Sequence, residues 1–261
     1  KERTAYLREW LSRDGEARKS RFGGADGGAV TLPGEVTHRG AGAVLASLPP
    51  GEWTYAWARD GAYAAAAMAA LGMSAEAREA LRFMLDAEGG RFRAWNELST
   101  YGFPQYQVSL TRYVGFGVEE TDFTAFGPNL EFDGFGLVLW ALREYERRSG
   151  DTTLTDAKWT IISTRIADAL VQLVDPATGL VRKDSSIWES HWTGRERAWT
   201  YTNLTAVRGL CDAAALAERK GETTRATTWR TSATALRAAI AAKLTDTNGA
   251  LASNREELAA G

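Results

Sequence analysis

Residues 60–87 read DGAYAAAAMAALGMSAEAREALRFMLDA, and this stretch decides how the chain folds. Its first part, 60–71, is rich in alanine and apolar on nearly every side, which is typical of a helix that is covered all round. Gly72 then breaks the pattern, and Ser74 is suited to begin the next helix. Residues 75–87 are amphipathic, with apolar side chains on one face only. The stretch therefore predicts a buried helix, a short turn and an outer helix.

The same order recurs twice further along the chain. The segments 133–148 and 201–219 predict mostly apolar helices, and each is followed by an amphipathic one, at 154–174 and 222–244. The turns within the pairs are short, whereas the loops between the pairs are long and lead into the buried helices. Repeated helix pairs predict a solenoid or a closed ring of helices. In either arrangement the long loops gather at one end, where a rigid scaffold commonly carries binding residues.

The composition excludes several classes of protein. Of the 261 residues, 44% are hydrophobic and 25% are charged, and the formal net charge is −2. Such a balance does not indicate a nucleic-acid partner, and no apolar run approaches the ~20 residues that a membrane span needs. A single cysteine, Cys211, excludes an internal disulfide, and its apolar helix predicts that it is buried. With two histidines besides it, a transition-metal site is not expected, and we predict no cofactor.

The first fifty residues are less regular than the rest. The pattern at 2–13 is compatible with a short helix, whereas 21–42 is rich in glycine and is predicted to be irregular. We therefore divide the chain into an irregular N-terminal segment, 1–50, and a helical domain, 51–261. The sequence starts without Met and has no apolar signal-like region, so we interpret its start as a processed boundary and favour a cytoplasmic location.

Three motifs stand directly before the three buried helices, and the first is 53-WTYAWARD-60. Arg59 and Asp60 are able to hydrogen-bond a polyhydroxylated ligand, and the rings of Tyr55 and Trp57 are able to form its wall. An aspartate at the start of a helix is also an ordinary N-cap. The motif alone leaves both interpretations open.

The second motif, 126-FGPNLEFDG-134, places Asp133 ahead of an apolar helix. For this motif on its own, capping explains the aspartate more readily than binding does. Glu131, on the same loop, is either part of a site or simply solvated.

The third motif lies within 184-DSSIWESHWTGRERAWTY-201. Glu189 stands between Trp188 and Trp192, and a carboxylate walled by indoles loses hydration in its charged form. Such an environment favours the protonated form that a general acid needs. The alternative is an exposed glutamate beside core tryptophans. Because all three motifs occupy the same place in the repeat, we expect them to meet at one rim.

Together the motifs resemble those of the glucoamylase-type inverting glycoside hydrolases, a family that includes glucodextranases and related bacterial α-glucosidases. The resemblance rests on W-x-R-D, on a Gly-Pro loop ending in Asp-Gly, and on Ile-Trp-Glu before Tyr-Thr. The phrases 46-ASLPPGEWTYAWARDGAY-63 and 129-NLEFDGFGLVLWAL-142 look especially like those of the bacterial members. It extends over roughly residues 46–219.

The resemblance implies an all-α fold, an (α/α)6 toroid in which outer helices wrap a ring of inner ones; three helix pairs are recognisable in this sequence. It also implies that Glu189 is the general acid, which protonates the glycosidic oxygen. The residues expected to bind the terminal sugar or to line its subsite are Tyr55, Trp57, Arg59, Asp60, Phe126, Asp133 and Trp188.

Two departures from the family pattern bear on the chemistry. Ser190 stands where fungal glucoamylases have a second glutamate, so recognition of the leaving group is expected to differ. Inversion also needs a base about 6.5–9.5 Å from the acid, and in the family this base lies in the last third of the toroid. We therefore predict inverting, exo-acting hydrolysis of α-glucosidic bonds in an oligosaccharide or glucoside, with the base absent from this chain.

Other interpretations remain open at this point. The main alternative is a non-catalytic carbohydrate-binding or scaffold protein on a partial helical toroid. A polysaccharide lyase is not expected to carry the Trp-Glu loop, and a terpene cyclase would need an Asp-rich metal motif that the sequence lacks. Three helix pairs would leave an apolar arc open, so we expect a further chain or a missing C-terminal segment to complete the ring.

Overall fold

The structure is a computed structural model that describes residues 42–47, 53–93, 102–115 and 117–259. The predicted segment 2–13 lies outside these residues, as does 21–42 except for Gly42. The boundary that we drew after residue 50 falls outside them as well. The division into two parts therefore stays a prediction.

All six predicted helices are confirmed, with small shifts of their ends. The first pair is α1 (Ala58–Ala70) and α2 (Ser74–Asp86). The second pair opens with α3 (Asp133–Ser149), and its outer member is divided into α4 (Thr153–Ala157), α5 (Trp159–Ile161), a π-helix (Ile162–Ala167) and α6 (Asp168–Gln172). The third pair is α7 (Thr200–Arg219) and α8 (Thr223–Lys243), and a short α9 (Arg255–Ala259) follows.

The helices form an inner row and an outer row. In the inner row α3 packs against α1 on one side and against α7 on the other. From outside, α2 covers α1, the π-helix covers α3, and α8 covers α7. The part of the chain that the structure describes is thus an arc of three helix pairs. None of its helices is both long and apolar enough to span a membrane.

Two glycines allow α3 and α7 to approach until their backbones touch. A Cβ added at Gly136 would lie 2.1 Å from the carbonyl oxygen of Thr205, and one added at Gly209 would lie 2.5 Å from the Cα of Gly136. Real Cβ atoms do not come this close to backbone. The spacing of the inner helices therefore depends on the lack of side chains at these two positions.

Two predictions about burial are wrong for the described residues. Helix α1 is not covered on every side, because Tyr63 and Ala67 within it and Leu71 at its C-terminal end are exposed. Cys211 is exposed rather than buried. It shares one face of α7 with Leu204 and Arg208, at positions one and two turns apart, and all three are exposed. An apolar neighbourhood in sequence did not reveal which face of α7 meets α3.

Short strands before α1 and in the loop between α2 and α3 were not predicted. Strands β1 (Ala56–Trp57), β2 (Arg112–Val114) and β3 (Val118–Glu120) form an antiparallel sheet in this order, and β4 (Phe123–Thr124) pairs with β5 (Gly127–Pro128). Trp57 pairs with Arg112 in the register of the sheet. Strands of two or three residues are too short to show an alternating pattern. They hold the W-x-R-D motif against this loop.

A buried carboxylate organises the same loop. Glu119 accepts hydrogen bonds from the backbone N–H groups of Leu110 and Arg91, both at 2.9 Å, and from the hydroxyl of Tyr106 at 3.2 Å. Burial raises the pKa of Glu119 to about 7, and these hydrogen bonds limit the rise. The loop is therefore held not only by its short strands but also by three groups that donate hydrogen bonds to the one side chain of Glu119.

The close approach of α3 and α7 leads to a prediction about stability. Gly136→Ala is expected to lower the free energy of unfolding by about 1–3 kcal/mol, because the added methyl group forces the two backbones apart. Urea denaturation would measure the change. Gly61→Ala is a matched control: this residue is also a helical glycine, but its methyl group would meet only the flexible Met84 side chain, at 3.2 Å from the sulfur. Equal stabilities of the two variants would contradict the proposed constraint.

Candidate functional site

The first two motifs meet at the start of the inner helices. A single nitrogen of Arg59, Nη1, donates to Glu131 Oε2 at 2.9 Å and to Asp133 Oδ2 at 3.0 Å. Asn129 Nδ2 donates to the other oxygen of Glu131, at 2.9 Å. The N-terminal end of α1 is thereby bonded to the loop that leads into α3. These contacts confirm that the two motifs share one rim.

The third stretch is joined to the same rim through its first residues. The carboxylate of Asp184 accepts the backbone N–H of Phe132 at 2.9 Å and the hydroxyl of Thr202 at 3.0 Å. The N–H of Ser185 donates to the carbonyl of Leu130 at 2.7 Å. The three motifs therefore form one connected site.

Burial sets the protonation of the acidic residues beneath this rim. It raises the pKa of Glu131 to about 8, and it also raises the pKa values of Asp133 and Asp184. The positive charge of Arg59 opposes the rise for Glu131 and Asp133, whereas the negative charges of these two increase it for Asp184. The pKa of Arg59 is raised: burial lowers it, but the two carboxylates outweigh burial. The carboxyl groups of this cluster bond partners within the protein and are not a set of free acceptors.

This geometry changes the interpretation of the second motif. Glu131 is buried, so the alternative that it is simply solvated is wrong. Asp133 does not cap α3, because Phe132 occupies the N-cap position and no side chain bonds there. Its side chain is only 1% exposed and bonds to Arg59. The structure therefore places Asp133 behind Arg59, where it holds the guanidinium.

Asp60 lies differently from its neighbour. Helix α1 begins at Ala58 with Trp57 in the N-cap position and no side-chain cap bond, so the capping interpretation of Asp60 is wrong. The aspartate lies in the first turn of α1 and is exposed. Of the two charged residues in the W-x-R-D motif, Asp60 is thus the more exposed, whereas the side chain of Arg59 is 16% exposed.

The aromatic residues of the first motif form a stack with an exposed end. Trp57 is only 6% exposed, so it supports the wall from behind. Tyr55 is half-buried and stands edge-on to Trp57, with ring centroids 5.7 Å apart. Trp53, which we did not single out in the sequence, packs on the other side at 6.2 Å and is exposed. In the sequence, the only indication that Trp53 belongs to this group is its position two residues before Tyr55, which is itself two residues before Trp57.

Glu189 lies between two 3-10 turns, Ser186–Trp188 and Ser190–Thr193. Its backbone is left-handed, with φ at 46°, a conformation that residues other than glycine adopt at a cost. The indole nitrogen of Trp192 donates to its carboxylate at 3.4 Å. Trp188 and Trp192 are 61% and 54% exposed, so the expected enclosure of Glu189 is open on the outside. The carboxylate itself is half-buried.

Two further contacts connect the Glu189 loop to the hairpin of β4 and β5. The hydroxyl of Thr124 donates to the carbonyl of His191 at 3.2 Å, and exposed Phe126 lies directly against Gly194. The ring of His191 is buried and packs on Trp192, with centroids 4.6 Å apart. Burial lowers the pKa of His191, although nearby carboxylates oppose this. The imidazole therefore favours its neutral form under the loop.

Two tyrosines link the inner helices on the concave side of the arc. The hydroxyl groups of Tyr63 on α1 and Tyr201 on α7 are 3.1 Å apart. Tyr63 also packs edge-on against Trp140 of α3, at 5.5 Å. Burial raises the pKa of Tyr201, and the hydrogen bond to Tyr63 adds to the rise. Neither tyrosine was predicted, because the contact spans 138 residues.

Among the described residues, no cluster of His, Cys, Asp and Glu is arranged to hold a metal ion.

Comparison with known proteins agrees with this geometry. A family model described as "Glycosyl hydrolases family 15" matches residues 32–257. A glycosidase variant superposes with a TM-score of 0.60 at 21% identity, over 94% of this chain and 59% of that chain, and the wild-type glycosidase gives 0.56 with the same identity and coverage. A bacterial glucoamylase complexed with acarbose gives 0.51 at 15% identity, over 81% of this chain and 28% of that chain.

These likenesses confirm the predicted fold class, an all-α toroid of inner and outer helices. The chain spans about three fifths of the length of the glycosidase that it matches. A comparison with curated proteins gave no match.

The buried cluster predicts a pH dependence of stability. Because the pKa of Glu131 is raised to about 8 in the folded state, its contribution to stability is complete below its ordinary pKa and is lost as the pH rises through 8. Glu131→Gln cannot ionise, and its amide is able to bond Asn129, whose Oδ1 has no other partner among the described residues. Between pH 5 and 8 the free energy of unfolding should therefore fall less in Glu131→Gln than in the parent, by at least about 1 kcal/mol. Urea denaturation at the two pH values measures both losses.

Glu218→Gln is the control for this experiment. Glu218 forms an exposed ion pair with Arg230 on the outer helices, far from the rim, and such pairs contribute little. The control should keep the pH dependence of the parent. If Glu131→Gln keeps it too, the cluster does not hold the proton that we assign to it.

Proposed function

Since the chain belongs to glycosyl hydrolase family 15, we propose that it takes part in the hydrolysis of glycosidic bonds, with an oligosaccharide or glucoside as substrate. The membership agrees with the resemblance found in the sequence. The finer proposal is inverting, exo-acting hydrolysis of α-glucosidic bonds. The observation that carries it is Glu189, an accessible carboxylate on a strained turn among exposed aromatic rings.

We assign Glu189 as the general acid. Its proton passes to the glycosidic oxygen while the bond from that oxygen to the anomeric carbon breaks, and the leaving sugar departs as a neutral alcohol. The strained backbone supports this role, since such strain is found where a fold must hold a side chain in a required direction. The bond from Trp192 Nε1 fixes one carboxylate oxygen, which leaves the other to face the substrate.

The exposed side chains around Glu189 suit a sugar. The accessible rings are contributed by three separate loops, and flat apolar rings pack well on the faces of pyranoses. The rings concerned are Trp53, Phe126, Trp188 and Trp192. Asp60 supplies an exposed acceptor for sugar hydroxyl groups. Arg59 has one nitrogen occupied by Glu131 and Asp133, so we propose that its remaining N–H groups donate to the same sugar.

Inversion also requires a base that is ionised and in contact with water on the opposite face of the sugar. The carboxylates beneath the rim do not suit this role, because Glu131, Asp133 and Asp184 are buried and have raised pKa values. We therefore retain the hypothesis that the base is contributed from outside this chain, by a further chain or segment that completes the ring.

The same observation favours one alternative, a non-catalytic carbohydrate-binding protein. An acid without a base would bind a sugar and turn it over poorly. Calorimetric titration with acarbose, which the bacterial glucoamylase holds in its complex, measures binding. Release of reducing sugar from maltose, isomaltose and trehalose measures turnover. With the chain or segment that completes the ring present, binding without turnover supports the alternative. The absence of both binding and turnover contradicts both proposals.

With the chain or segment that completes the ring present, Glu189→Gln should lower the rate of sugar release at least about 100-fold, because removal of a general acid commonly costs a factor of 10² to 10⁴. Acarbose affinity should change less than about threefold, since the amide keeps the shape of the side chain. Glu196→Gln is the control, a half-buried carboxylate seven positions further along the same loop. Turnover that survives in Glu189→Gln would remove the acid assignment.

Asp60→Ala should weaken acarbose binding about tenfold or more. A hydrogen bond between a charged group and a hydroxyl group contributes about 1.5–3 kcal/mol, and a factor of ten corresponds to about 1.4 kcal/mol. Calorimetric titration measures the affinity, and Asp246→Ala, in the turn after α8, serves as the control. If Asp60→Ala binds as the parent does, Asp60 is not a sugar ligand.

A further inference from the structure

Arg112 is a buried arginine whose charge is fully matched. Its guanidinium forms two hydrogen bonds to Glu120, at 2.5 and 3.0 Å, and two to Asp122, at 2.8 and 2.5 Å. The residue is 4% exposed, whereas both carboxylates reach solvent at their outer edges. Burial lowers the pKa of Arg112, but the bonds to Glu120 and Asp122 outweigh this and raise it. The guanidinium is therefore a charged, immobile plane.

Two aromatic residues of the first motif, Tyr55 and Trp57, lie beside this guanidinium. The guanidinium carbon lies 4.3 Å from the ring centroid of Tyr55 and 5.4 Å from that of Trp57. Both distances fall within the range of cation–π attraction, about 6 Å. Trp57 is also the strand partner of Arg112 in the sheet of β1 and β2. The guanidinium of Arg112 thus contacts both rings, while the pairing of β1 with β2 fixes the position of Trp57 along the strand.

The same arginine is connected to the second motif. Asp122, which holds one side of the guanidinium, also accepts the N–H of Asn129 at its carbonyl, at 2.9 Å. Asn129 in turn bonds Glu131, which holds Arg59. A continuous series of hydrogen bonds therefore runs from Arg112 to Arg59 of the first motif.

We propose that Arg112 is a positioning residue, which sets the planes of Tyr55 and Trp57 and so shapes the wall of the sugar subsite. The inference rests on the proposed function for its effect on ligands, but the ring geometry is testable without any ligand. Lysine cannot replace arginine in this role: its ammonium is a point charge that cannot bond two carboxylates side by side while it contacts both rings. Arg112→Lys keeps the charge and removes the plane.

The experiment compares Arg112→Lys with Arg230→Lys, an exposed arginine with a carboxylate partner on the outer helices. Near-ultraviolet circular dichroism reports on the packing of aromatic rings, and each substitution is also made in a Trp57→Phe background. We expect Arg112→Lys to change the spectrum in the parent background and to have little effect in the Trp57→Phe background. Arg230→Lys should leave both spectra unchanged. Asp122→Asn, which loosens the guanidinium without removing it, should give a smaller change of the same kind.

Acarbose titration supplies the second measurement. Arg112→Lys should bind at least about fivefold more weakly than Arg230→Lys, with an unchanged far-ultraviolet spectrum. The positioning role is overturned if Arg112→Lys leaves the near-ultraviolet spectrum unchanged. It is also overturned if Arg112→Lys changes the spectrum equally in the parent and in the Trp57→Phe background. An altered spectrum with unchanged affinity overturns its effect on the subsite. If the parent binds no acarbose and hydrolyses no α-glucoside, the proposed function fails, and the spectra still decide whether Arg112 positions the rings.

Discussion

The structure of the rim depends on one guanidinium shared by two buried carboxylates. Arg59 bonds Glu131 and Asp133 through the same nitrogen, and this pair of bonds joins the start of α1 to the start of α3. Removing one member of a buried ion pair costs about 3–5 kcal/mol, because the other charge is left without a partner. Neither helix start can therefore move alone. The contact joins two sequence motifs, 72 residues apart at their closest bonded positions, into one surface.

The inner helices provide the rigid base that this contact needs. Gly136 and Gly209 bring α3 and α7 into backbone contact, so the start of α7 has a fixed distance from the start of α3. Asp184 then bonds Phe132 just before α3 and Thr202 in the first turn of α7. The Glu189 loop begins immediately after Asp184. Close packing in the body of the arc thus determines where the proposed acid lies at its end.

The sequence predicted the regular parts of the molecule and the place of the site. Six helices and the meeting of the three motifs followed from periodicity and from repeated order, which depend on local composition. The roles of individual carboxylates did not follow, because they depend on partners distant in sequence. In the sequence Glu131 was open to interpretation as a solvated residue and Asp133 as a helix cap. Only their contacts with Arg59 in the structure exclude these alternatives. The strands around Arg112 were missed because two or three residues carry no detectable pattern.

The acidic residues divide into two groups by their surroundings. Those beneath the rim have pKa values that burial raises, and their partners lie within the protein, so they hold the structure together. Those at the rim, Asp60 and Glu189, are accessible to a ligand. A site that used the buried group for chemistry would have to break the bonds that align its own helices. The two residues at the rim can contact a ligand while the framework stays intact, and for this reason we propose that the chemistry lies there.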